Sequence, residues 1–125
     1  MVRNLSEVTE GWCWSLRYKK QKMKVEQIYT GCLAQGAYYI ESNGEVAIID
    51  PLREVAPYLD RAKKNQAKIK YILETHFHAD FVSGHLNLSK ETGAPIIYGP
   101  YANPNFETII AEDGQSFPLG EGTII

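Results

Sequence analysis

All three histidines of the chain, His76, His78 and His85, fall within ten positions, and Asp80 stands among them. In an extended segment alternate residues face one side, so His76, His78 and Asp80 can converge while Phe77, Ala79 and Phe81 anchor the other. Imidazole nitrogens and a carboxylate suit zinc or ferrous iron. A plainer reading stays open, with loop histidines at a helix start and Asp80 as N-cap of a helix beginning at Phe81. His85 lies one turn after Phe81 and one before Leu88, on a mostly apolar helix face, and reads chiefly as a packed or hydrogen-bonded helix residue. Asp50 ends an apolar strand, where a carboxylate without partners would be costly to bury. It is either an acid that hydrogen-bonds the metal loop and orients its ligands or a helix cap or Asp-Pro turn.

The elements around these residues have to bring them together. Lys24 to Tyr29 alternates as a strand. Ala37–Glu41 and Glu45–Ile49 read as two more, joined by Ser42-Asn43-Gly44, where Asn-Gly between apolar runs signals a hairpin. Val55 to Ala67 has helical spacing and a basic last turn. Ile69 to Glu74 is a strand that delivers the chain into the histidine loop, and a second helix follows from Phe81 to Thr92, stopped by Gly93. Pro95 to Tyr98 is a short apolar strand closed by Gly99-Pro100. Asp113-Gly114-Gln115 reads as a turn before a final strand. Strand and helix in alternation imply a layered α/β arrangement, in which the histidine loop leaves the carboxyl end of a strand, the usual place for a site.

Composition bounds the function. At 125 residues and 44% hydrophobic, the chain suits one domain or part of one. A net charge of −2 with acids and bases interspersed offers no basic field for nucleic acid or anionic lipid, and no apolar run approaches the roughly 20 residues of a membrane span. The expected partners are small molecules or other proteins. Two cysteines, Cys13 and Cys32, in no zinc-ligand spacing fit a reducing, cytoplasmic setting, with Cys32 as a small apolar filler. Residues 1–22 carry a basic excess and lack the apolar stretch of a signal peptide; they read as a mobile extension before a domain over 23–125.

The run Thr75-His76-Phe77-His78-Ala79-Asp80, between a strand and a helix and preceded by Ile48-Ile49-Asp50-Pro51, resembles the metallo-β-lactamase superfamily. That resemblance implies an αββα sandwich represented here by its first half, a mixed sheet with flanking helices. The superfamily motif usually closes with a histidine where this chain has Phe81. Because that histidine and the aspartate hold the second metal in binuclear hydrolases, Phe81 favours one metal. The longer run from Glu74 to Leu86 is similar to the persulfide dioxygenase branch, whose members often carry rhodanese domains. That branch uses mononuclear Fe(II) to oxidise a small thiol persulfide to sulfite with dioxygen.

The resemblance makes His76 an iron ligand, with His78 and Asp80 close by, Asp80 as the catalytic candidate, and Asp50 and His85 behind them. The family's later ligands, a Gly-His histidine and an aspartate, do not occur in this chain, so the resemblance implies an amino-terminal half that is inactive alone. Two alternatives stay open. One is a thioester hydrolase resembling glyoxalase II, with two metals and zinc in place of iron. The other is a non-catalytic remnant that self-associates, as a homo-oligomer, through its apolar sheet face.

Overall fold

The structure is a computed structural model and describes residues 23–30, 35–77 and 83–125. The expectations for residues 1–22 and Cys32 lie outside the described residues. Among the described residues ten elements follow in order: β1 (Lys24–Thr30), β2 (Gln35–Ser42), β3 (Glu45–Ile49), α1 (Ala56–Lys64), β4 (Lys68–Glu74), α2 (His85–Thr92), β5 (Ile96–Tyr98), β6 (Ile109–Ile110), β7 (Phe117–Leu119) and β8 (Gly122–Ile124). The first six strands form one sheet in sequence order, antiparallel from β1 to β3 and parallel from β3 to β6. The mixed α/β sheet with flanking helices is thus as read from the sequence.

Local chemistry explains the turns. Asn43 and Gly44 both have positive φ, 47° and 79°, the backbone of the tight hairpin turn that Asn-Gly favours. Helix α1 is shorter than the sequence pattern suggests. Gln66 turns left-handed at φ 54°, its N–H bonding Lys63 and that of Ala67 bonding Ala62, so a Schellman-type ending closes the helix without a glycine.

The two helices cover one sheet face. Tyr58 and Ala62 of α1 and Leu88 of α2 pack with Val46, Ile48 and Ile72 in one buried cluster. The β7–β8 hairpin covers part of the other face, where Leu119 packs on Ile40 and Ala47. One irregularity decides which side chains face which layer. In β4, Lys70 is an extra residue, since Val46 pairs with Ile69 but Ala47 pairs with Tyr71. A strand alternates faces with period two, and the extra residue reverses the phase. Ile69 and Ile72 therefore both join the helix-side core while Tyr71 and Leu73 turn towards the hairpin. In this phase Glu74 falls on the helix side of the sheet.

Candidate metal centre

The site begins where two parallel strands end together. Ile49 of β3 pairs with Leu73 of β4, so Asp50 and Glu74 follow side by side at the carboxyl edge. The Asp50 N–H donates to the Leu73 carbonyl at 2.9 Å, and its backbone turns left-handed, φ 51°, a conformation Asp tolerates better than most residues. Its carboxylate is buried and accepts twice from Thr75, from the backbone N–H at 2.8 Å and from the hydroxyl at 2.6 Å. It does not cap α1, whose N-cap residue is Val55.

Thr75 passes this order on to His76, whose Nδ1 lies 2.8 Å from the Thr75 hydroxyl oxygen. Since that hydroxyl gives its proton to Asp50, it can only accept from the imidazole. Nδ1 then carries a ring proton, and in the neutral ring Nε2 holds the lone pair, as in a metal-binding histidine oriented from behind. His76 is exposed at the strand end, beside a cavity of about 360 Å³ lined by Phe77, Tyr98, Pro100 and Tyr101. Phe77 stacks on Tyr98 with ring centroids 4.8 Å apart.

Behind the loop lies a second acid that the sequence reading missed. Glu74 has a side chain 1% exposed and a carboxyl pushed up to about 8, first by burial and then by the neighbouring Asp50 charge. The Ser83 hydroxyl donates to its Oε2 at 3.1 Å and lies equally far from the Pro51 carbonyl. A hydroxyl has one proton for these two acceptors, and a protonated Glu74 relieves the competition. The sequence signal was available, because Glu74 ends an apolar strand just as Asp50 does.

His85 also meets Glu74, with Nδ1 3.6 Å from Oε1. Its ring packs on Phe106 and Tyr98 at centroid distances of 5.2 and 6.3 Å. It opens α2, whose N-cap is Gly84. This corrects the expectation of a helix starting at Phe81 with Asp80 as its cap. Ser83 is held in an isolated bridge to Leu52 and Gly84 N–H donates to the Pro51 carbonyl, so Ser83 and Gly84 are committed elsewhere and the helix starts after them.

His78, Asp80 and Phe81 lie outside the described residues, and among the described residues no three His, Cys, Asp or Glu side chains form a metal-holding group. What the described part contributes is one imidazole in the ligating tautomer. That donor fits iron or zinc. No helix among the described residues is long and apolar enough to cross a membrane.

The fold is an α/β arrangement with, at the ends of two adjacent strands, a histidine backed by a threonine and an aspartate. The chain belongs to the metallo-beta-lactamase superfamily, whose family pattern matches residues 30–123. A hydroxyacylglutathione hydrolase of Rhizobium johnstonii is 39% identical over 85 residues, 65% of this chain and 32% of that protein. A cytoplasmic hydroxyacylglutathione hydrolase of Arabidopsis thaliana is 34% identical over 71 residues, 54% of this chain and 27% of its own length. Among solved structures, a metallo-beta-lactamase of Staphylococcus aureus superposes with a TM-score of 0.70 at 29% identity, over 79% of this chain and 32% of that one. ETHE1 of Myxococcus xanthus has the same fold, with a TM-score of 0.71 at 19% identity over 81% of this chain and 46% of that chain. The chain spans about a third of the length of the curated relatives it matches.

Proposed function

We propose that this chain contributes to a mononuclear iron site that oxidises a low-molecular-weight thiol persulfide, with dioxygen and water, to the thiol, sulfite and two protons. The observation that carries this reading is the Asp50–Thr75–His76 relay, which presents Nε2 as a donor, in a sequence where Phe81 occupies the position of a second metal's histidine. His76 would hold the metal, with His78 and Asp80 beside it. Bound Fe(II) would supply the redox chemistry. The chain's own residues orient the imidazole and set the Phe77–Tyr98 stack beside it.

A second reading is favoured by the two curated relatives described above, both hydroxyacylglutathione hydrolases. On that reading the substrate is a glutathione thioester and the metal zinc. The test is to supply the longest polypeptide the gene encodes with glutathione persulfide and, separately, with S-lactoylglutathione. Oxygen consumption with sulfite release on the persulfide supports the oxygenase. Thioester hydrolysis without oxygen uptake overturns it in favour of the hydrolase.

A further inference from the structure

The β7–β8 hairpin has two strands of three residues each and pairs with no other strand among those described. A hairpin this short is marginal by itself in water, so its order depends on how the sheet holds it. Apolar contacts supply part of that hold. Leu119 is fully buried against Ile40 and Ala47, and the Phe117 ring meets Tyr71 edge-on at 5.6 Å. The tip is held by polar groups. One oxygen of the Glu45 carboxylate accepts from the Gly120 N–H at 2.7 Å and from Lys70 Nζ at 3.1 Å. Lys70 also donates to the Pro118 carbonyl at 3.2 Å, and the Glu121 N–H donates to the Ser42 hydroxyl at 3.1 Å. Gly120 has a left-handed backbone, φ 57°, and lies so close to the Ser42 carbonyl that a Cβ would collide with it.

Lys70 is the extra residue of β4, and through it two consecutive side chains, Lys70 and Tyr71, reach the hairpin. Bulges re-aim side chains in this way. The other end of the hairpin, its base, borders a cavity of about 350 Å³ lined by Ile49, Leu73, Ile97, Phe117 and Ile124. The chain enters that base through a tight turn, with the Gln115 N–H on the Glu112 carbonyl and the Glu112 N–H on the Gln115 side chain. We propose that β7–β8 is a flap that opens as a unit, its tip fastened to the sheet by Glu45 and Lys70. Releasing the tip lets the hairpin turn about residues 112–115 and uncovers both the seat of Leu119 and the apolar cavity, while the six-stranded sheet stays folded. Small units with few contacts to the rest of a fold open in this way, at a free energy below that of global unfolding.

The experiment is native-state amide hydrogen exchange of the full chain, resolved by NMR at low denaturant, for the wild type, Glu45→Gln, Lys70→Met and Tyr58→Phe. Far-UV circular dichroism establishes that each is folded. In the wild type the Gly120 and Glu121 amides are expected to exchange faster than those of Ile48 and Ile72, and with a weaker dependence on denaturant. Glu45→Gln, which leaves a neutral acceptor for Gly120, should speed the two hairpin amides by about 10-fold. Lys70→Met should speed them by about 3-fold. Tyr58→Phe loosens the opposite face of the sheet and should speed Ile48 and Ile72 while Gly120 and Glu121 keep the wild-type rate. Hairpin amides that follow Ile48 and Ile72 in rate and denaturant dependence, or that speed up with them in Tyr58→Phe, overturn the flap, because the hairpin then opens only with the whole fold. Wild-type exchange at Gly120 and Glu121 in folded Glu45→Gln overturns the fastening. Should Glu45→Gln fail to fold, wild-type exchange in Lys70→Met overturns it equally.

Discussion

Replacing Glu74 by glutamine should change how the stability of the fold depends on pH. In the folded chain this carboxyl keeps its proton up to about 8, against an ordinary value of 4.5. Between those values the native state binds a proton that the unfolded state has released, so stability falls as pH rises through the interval and levels off above it. The contribution is fully present below 4.5. At roughly 1.4 kcal/mol for each pH unit, the loss accumulates to about 5 kcal/mol. Most of it comes from burial of the charged form and a smaller part from Asp50 alongside. Glutamine does not titrate, so the stability advantage of Glu74→Gln over the wild type should grow by about that amount from acid to mildly alkaline pH. Urea unfolding in the presence of a chelator, followed by circular dichroism between about pH 5 and pH 9, measures the difference directly. Parallel stability curves for the two proteins would refute the reasoning, because they would mean that Glu74 is ionised in the fold throughout.

Three further outcomes follow from the same edge of the sheet. Thr75→Val removes the hydroxyl between Asp50 and His76; it should cost about 1–3 kcal/mol by leaving the buried carboxylate underbonded and weaken metal binding about 10–100-fold, read by urea unfolding and Co(II) titration. Gly84→Ala forces a methyl against the Leu52 carbonyl and should lower stability by about 1–3 kcal/mol, visible as a reduced Tm. Tyr58→Phe deletes the acceptor of the Leu52 N–H, a bond of 3.0 Å beneath the site, and should cost about 1–2 kcal/mol in chemical denaturation while the fold persists.

Much of this edge could be read from residue types. Asn43-Gly44 specified its turn, the apolar run of β3 specified a strand, which the fold buries on both faces, and the acid after it marked a place where the loop is held. The rest depended on contacts between distant residues. Helix α1 ends at a left-handed Gln66, a residue that gives no stop signal in sequence. Helix α2 begins late because Ser83 and Gly84 bond back to β3's exit, a long-range commitment invisible to local periodicity. Strand β6 is two residues long and exists through its pairing with β5. Glu74 was hidden behind the more conspicuous histidines, and the face it occupies was set by an extra residue that no pattern of apolar positions announces.

That extra residue, Lys70, also governs how the chain can change its length. Loops usually absorb insertions and deletions with little harm, whereas a residue inside a paired strand, as Lys70 is in β4, would look indispensable. Removing it would leave Ile69 opposite Val46 and Tyr71 opposite Ala47, so plain alternation returns and every later residue of β4 keeps its side. Glu74 would still face Ser83 and His85 and Thr75 would still face Asp50, the loss being confined to the bonds of Lys70 to Glu45 and to the Pro118 carbonyl. A one-codon deletion four positions upstream of the acid would therefore preserve the parity of the site, a tolerance that no inventory of its residues would reveal.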